Sequence, residues 1–138
     1  MSIAPRAPRR NKQPEAALQA ASAEFLNLKL PKNYVSIHVP NGAQLAKPWH
    51  AKRLKAQGMR PGCPDWLLVG RSRLDSVALG SIQVGPYVYA VELKATGKYL
   101  SPVQKAFHKR LEACGVPVAV CRSIGEIEAA LKGWGVLP

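Results

Sequence analysis

Two acidic residues interrupt the most apolar stretches of the chain. Asp65 stands directly before Trp66-Leu67-Leu68-Val69, and Glu92 follows the run Tyr87-Val88-Tyr89-Ala90-Val91. Runs of this kind read as strands, the second covered on both faces, and a carboxylate set among them is costly unless it is paired or bound to a cation. Strand geometry sends Val88, Ala90, Glu92 and Lys94 to one side and Tyr87, Tyr89, Val91 and Leu93 to the other. Lys94 therefore shares a face with Glu92, while Leu93 packs behind them.

The surrounding sequence supplies an α/β frame for these strands. With 138 residues, 47% hydrophobic and 20% charged, the chain suits one globular domain with a core of its own. Residues 1–12 form a basic arm (Arg6, Arg9, Arg10, Lys12) broken by Pro5 and Pro8 and expected to be disordered, so the domain is expected over 13–138. A first helix is predicted over Glu15 to Lys29, with Leu18, Ala21, Phe25 and Leu28 at helical spacing. Glu15 lies on the side of Leu18, Ser22 and Leu26, at the edge of the buried face, where an acid also complements the positive end of the helix.

A strand follows over Tyr34 to Val39, stopped by the turn Pro40-Asn41-Gly42. His38 reads as a strand histidine. A short helix over Lys47 to Gln57 ends at Gly58. Asp65 to Val69 is the second strand, Arg71 to Gly85 a loop or irregular hairpin with Asp75 as a loop residue, and Tyr87 to Lys94 the third strand. Ser101-Pro102-Val103-Gln104 forms a capping box opening a helix that runs to Cys114 and buries Val103, Phe107, Leu111 and Cys114. A fourth strand, Val116 to Cys121, precedes a second box at Ser123 to Glu126 and a last helix to Lys132. This order predicts an α/β sandwich on a mixed sheet.

The charge balance points outward. Twenty Lys and Arg against eight Asp and Glu leave a formal charge of +12, a surplus suited to a polyanion, with nucleic acid ahead of a membrane surface. Residues 47–60 hold Lys47, Lys52, Arg53, Lys55 and Arg60 and no acid, a run suited to backbone phosphates. Neither a secretory leader nor a membrane-length apolar run is expected, and a soluble cytoplasmic protein follows. Cys63, Cys114 and Cys121 lack metal-knuckle spacing and read as reduced core residues.

Brought together, Asp65 and Glu92 would be hard to hold as a pair. Two carboxylates about 4 Å apart repel by roughly 4 kcal/mol at an effective dielectric of 20. Oxygen ligands that leave water in place suit Mg²⁺ or Mn²⁺, and such a site with Lys94 beside it suits phosphodiester hydrolysis.

These motifs also carry a resemblance. Gly62-Cys63-Pro64-Asp65, Glu92-Leu93-Lys94 and Gly97-Lys98-Tyr99-Leu100-Ser101-Pro102-Val103-Gln104, with Pro40-Asn41-Gly42 and Arg53-Leu54-Lys55-Ala56-Gln57-Gly58 upstream, resemble the virus-type replication-repair nuclease (VRR-NUC) domain, from about Glu15 to Trp134. Cys63 departs from the small aliphatic residue expected there. The resemblance implies a restriction-endonuclease-like PD-(D/E)XK fold, close to Holliday-junction resolvases, with a central mixed sheet flanked by helices. It implies that Asp65, Glu92 and the Leu93 carbonyl hold Mg²⁺ or Mn²⁺, that Lys94 is the catalytic lysine, and that Glu15 and Gln104 join the site. Lys98 belongs with the basic run as a contact for nucleic acid. Also implied are branched DNA such as four-way junctions as substrate, a homodimer, no small-molecule cofactor, and a bacterial or phage-infected cell as setting. The rival reading is a non-catalytic basic architectural protein, which leaves the two acids unexplained. A restriction enzyme with base-specific contacts is the third, for which no specificity element is visible.

Overall fold

The computed structural model describes residues 14–40, 52–53, 55–58, 60–76, 78 and 80–138. Lys47, Asn41, Gly42 and the expected basic arm lie outside them. Among the described residues, three helices flank a four-stranded sheet. Helix α1 (Pro14–Lys29) leads to strand β1 (Tyr34–His38), after which Lys52, Arg53, Lys55 and Ala56 are helical. Strands β2 (Trp66–Ser76) and β3 (Gly80–Leu93) form a long hairpin; α2 (Pro102–Ala113), β4 (Val118–Cys121) and α3 (Ile124–Gly133) complete the chain.

The sheet order is β1-β2-β3-β4, with the first two pairings antiparallel and β3 parallel to β4. Helix α2 makes the crossover that a parallel pair requires. Residues expected as loop or irregular hairpin are the outer arms of β2 and β3, which shift register between Gly70 and Ser72. Asp75 pairs with Ser81 in that ladder, so it is a strand residue and not a loop residue.

The core lies on one face of the sheet. Trp66, Leu68, Tyr89, Val91 and Leu93 pack with Leu26 of α1, Ile127 and Leu131 of α3, and Val136. The expected separation of β3 therefore holds, with Tyr89, Val91 and Leu93 behind Glu92. Tyr89 stacks on Trp134 at 4.8 Å between ring centroids. Each of the larger side chains here gains roughly 1.5–3 kcal/mol on full burial.

Both helix faces differ in phase from the apolar spacing. In α1 the buried residues are Ser22 and Leu26, with Leu18 and Phe25 partly buried, whereas Ala21 is exposed and Leu28 is 75% exposed. Ser22 is small enough for close packing, and its hydroxyl donates to the Leu18 carbonyl at 2.6 Å, so its burial leaves no polar group stranded. In α2 the stripe Val103, Phe107, Leu111, Cys114 is corrected: Val103 is 53% exposed, Cys114 is exposed, and His108 is buried instead. The sheet face that α2 covers carries Glu92, so the helix turns hydrogen-bonding residues toward it. Of the three cysteines expected in the core only Cys121 is fully buried, its thiol pushed up to about 11 chiefly by burial; Cys63 is half-buried. No helix among the described residues is long and apolar enough to cross a membrane.

Candidate active site

Gly62 fixes the approach to the first carboxylate. Its φ is +84°, and a Cβ there would lie 2.7 Å from the Val103 carbonyl oxygen, so only glycine admits both the left-handed backbone and the contact with the first turn of α2. Cys63 then donates its N–H to the Arg60 carbonyl at 3.3 Å, and Pro64 is fully buried. At Asp65 the backbone carbonyl accepts the Val39 N–H at 2.8 Å and lies 3.1 Å from Nδ1 of His38. Gln19 Nε2 of α1 lies 3.2 Å from the same ring nitrogen, while the ring packs on Trp66.

Register does the rest. Trp66 pairs with Val91, so one step outward Asp65 faces Glu92 across the antiparallel ladder. Facing residues in such a pair have Cβ atoms about 4.5–5.5 Å apart, and like charges there repel. Asp65 is 9% exposed and Glu92 only 2%. One Asp65 oxygen, Oδ2, accepts the Leu93 N–H at 2.7 Å, which ties the start of β2 to the end of β3.

Glu92 meets α2 with both oxygens. Oε1 accepts from Gln104 Nε2 at 3.0 Å, while Oε2 is 3.6 Å from Nε2 of His108 and has no hydrogen-bond partner. Burial first, then the charge of Asp65 and a hydrogen bond with it, push the Glu92 carboxyl up to about 8, and the charge of Lys94 opposes the rise. A cation placed between the two carboxylates would relieve this strain on the ionised form. That donor set fits Mg²⁺ or Mn²⁺. Among the described residues no three His, Cys, Asp or Glu side chains cluster to cage a metal, and Mg²⁺ uses one or two carboxylates and keeps several waters.

The capping box of α2 is present in full. Ser101 Oγ accepts the Gln104 N–H, and Gln104 Oε1 accepts the Ser101 N–H at 2.9 Å. Capping thus occupies the amide oxygen of Gln104, and the carboxylate takes its nitrogen. Glu15 also spans two roles: it stands in the first turn of α1, and its Oε1 accepts the Ala95 N–H at 3.4 Å, just past Lys94. Its charge adds to the pressure on Glu92. Lys94 is half-buried just beyond the end of β3, its N–H held by the Cys121 carbonyl at 3.0 Å.

The profile of the VRR-NUC domain matches residues 10–124. The chain belongs to the VRR-NUC family. A solved structure of a VRR_NUC domain protein superposes with a TM-score of 0.60 over 89% of this chain and 88% of that one, at 20% identity. That likeness bears on the fold. No curated protein matches the chain. Membership of the VRR-NUC family makes this a nuclease-type domain.

In this VRR-NUC domain the described structure gathers Asp65, Glu92, Lys94, Gln104 and Glu15 around the paired ends of β2 and β3. Lys52, Arg53, Lys55, Arg60 and Lys98 are exposed. Lys98 sits in a turn whose carbonyl accepts from Arg122 Nη2 at 2.9 Å. Two polar residues near the carboxylates, His108 and Gln19, went unread in the sequence; His38 is the strand histidine expected, set beside the Asp65 carbonyl. The spacing of His108 from Gln104, one helical turn, was the available signal.

The Leu93 contact separates the charge of Asp65 from its structural part. Asp65→Asn keeps an acceptor for the Leu93 N–H; Asp65→Ala leaves that buried donor unpaired, at a cost of about 1–3 kcal/mol. The alanine variant should therefore melt several degrees below the asparagine variant in thermal unfolding, with cleavage lost in both. Equal melting temperatures would remove this contact from the account.

Proposed function

We propose that this chain is a divalent-metal-dependent DNA endonuclease of the PD-(D/E)XK type, which cuts branched DNA such as four-way junctions as a homodimer. The observation that carries the reading is the buried, facing pair Asp65 and Glu92, with Glu92 pushed up to about 8 beside the ammonium of Lys94. Asp65, Glu92 and the Leu93 carbonyl would hold the metal, with Glu15 reaching it from α1. Bound Mg²⁺ or Mn²⁺ would polarise a phosphoryl oxygen and lower the pKa of a water.

The protein groups do the remaining work. Lys94 orients the attacking water or offsets charge as it builds on the phosphorus oxygens. Gln104 holds one oxygen of Glu92 and keeps the carboxylate in a fixed rotamer. Exposed Lys52, Arg53, Lys55, Arg60 and Lys98, with Lys47, grip phosphates without reading bases. A two-fold dimer would present two such sites to two strands.

A panel of four-way junction, flap, nicked duplex and linear duplex, with and without Mg²⁺ or Mn²⁺, tests the reading. Metal-dependent nicks paired symmetrically about the junction are expected, with binding that weakens by a log–log salt slope of about −0.9 per phosphate neutralised. Tight binding without cleavage under either metal would favour an architectural protein instead. A fixed cut sequence in linear duplex would mark a restriction enzyme.

A further inference from the structure

The second oxygen of Glu92 is the point the proposed chemistry leaves open. Glu92 is 2% exposed and His108 6%, and their facing atoms, Oε2 and Nε2, both lack a hydrogen-bond partner. Buried polar atoms in native proteins are rarely left so. Closure of the 3.6 Å gap between them to an ordinary N–H···O separation needs a shift of about 0.7 Å. Gln104 and His108 stand one helical turn apart on α2, the spacing that puts two side chains on one face, and Gln104 already holds Oε1 at 3.0 Å.

We propose that His108 is a positioning residue, which donates its Nε2–H to Glu92 Oε2 and, with Gln104, clamps both oxygens of the carboxylate toward the metal position beside Asp65. The inference rests on the metal-dependent reading above and adds a residue to it. An imidazole with its proton on Nε2 is a donor of one fixed direction. Outer partners of this type hold a ligand's orientation and typically change metal affinity 10–100-fold when lost. A helix that turned its apolar residues inward at this point would have buried Val103; this one exposes Val103 and buries an imidazole.

The test compares His108→Phe, which keeps a flat ring and removes the donor, with His108→Gln, whose amide nitrogen reaches to a similar distance. Mn²⁺ affinity is measured by calorimetry without DNA, and cleavage is measured against Mn²⁺ and DNA concentration. His108→Phe should bind Mn²⁺ at least about 10-fold more weakly and need correspondingly more metal for half-maximal rate, with KM for junction DNA unchanged. His108→Gln should recover to within about threefold. Unaltered Mn²⁺ affinity in His108→Phe would overturn the inference. Absence of Mn²⁺ binding in the parent protein would instead defeat the metal-dependent reading. In that case ¹⁵N spectra of the metal-free protein at pH 9 still judge the contact: a proton on Nδ1 and not on Nε2 of His108 overturns it, and the Nε2–H form supports it.

Discussion

Glu92→Gln should abolish divalent-dependent cleavage and, at the same time, make the metal-free protein more stable at pH 8.5. The two effects share one cause. Burial and the facing Asp65 hold the Glu92 carboxyl at about 8 against an ordinary value of 4.5, so the ionised form that the proposed cation would need is the form the metal-free fold resists. Between those two values the folded protein keeps a proton that the unfolded chain has released. Stability therefore falls as pH rises through that window, is lowest above pH 8, and is unaffected by this group below pH 4.5. At about 1.4 kcal/mol per tenfold change in proton affinity, the full cost is at most about 5 kcal/mol.

Glutamine carries no such proton, and its amide oxygen can still accept from Gln104 while its nitrogen donates to Asp65. Thermal unfolding in chelator should show the variant about 5 °C or more above the parent at pH 8.5 and level with it near pH 4.5. Added Mg²⁺ should raise the parent's melting temperature, since a ligand of the folded state alone stabilises it, and leave that of the variant unmoved. Cleavage should drop by about 10³-fold or more, equivalent to roughly 4 kcal/mol of lost transition-state stabilisation. A variant that melts below the parent at pH 8.5 would mean that Glu92 is a structural ion and not a metal ligand held in waiting.

The carboxylate pair was legible in the sequence because acids in covered strands violate a strong rule, and rules are broken where function requires it. Asp65 needed only its place before an apolar strand, and Glu92 and Lys94 needed only the two-residue period. Gln104 and Glu15 each offered two explanations, and the structure makes them compatible: separate atoms of Gln104 serve the cap and the carboxylate, and Glu15 lies in the first turn of α1 yet reaches Ala95. What spacing could not supply was the phase of the helices. Apolar residues in α2 suggested Val103 and Cys114 as inward, but the sheet face opposite holds a carboxylate, and its need for donors outweighs the roughly 1.5–3 kcal/mol a valine gains from full burial. That demand exists only once β3 and α2 are packed, so His108 stayed hidden in the sequence. The arms of β2 and β3 were legible only as a loop or irregular hairpin, and the register shift between Gly70 and Ser72 makes the hairpin the right alternative.

Lys94→Met should lower kcat by about 10²–10⁴-fold, the range expected for loss of a group that acts on a proton in the transition state, with little change in melting temperature or in KM for junction DNA. Lys94 donates its backbone N–H to Cys121 whatever its side chain, and methionine preserves most of the half-buried aliphatic stem. Its charge also lowers the proton affinity of Glu92, so losing it should move the acid limb of the pH–rate profile to higher pH. Lys94→Arg separates the two roles that the ammonium can play. A guanidinium keeps the charge yet is not deprotonated in proteins. Restored pH dependence with a still-depressed rate in the arginine variant would give Lys94 both an electrostatic part and a part in handling the attacking water's proton. Recovery of both would leave only the charge, and wild-type cleavage by the methionine variant would remove Lys94 from the chemistry.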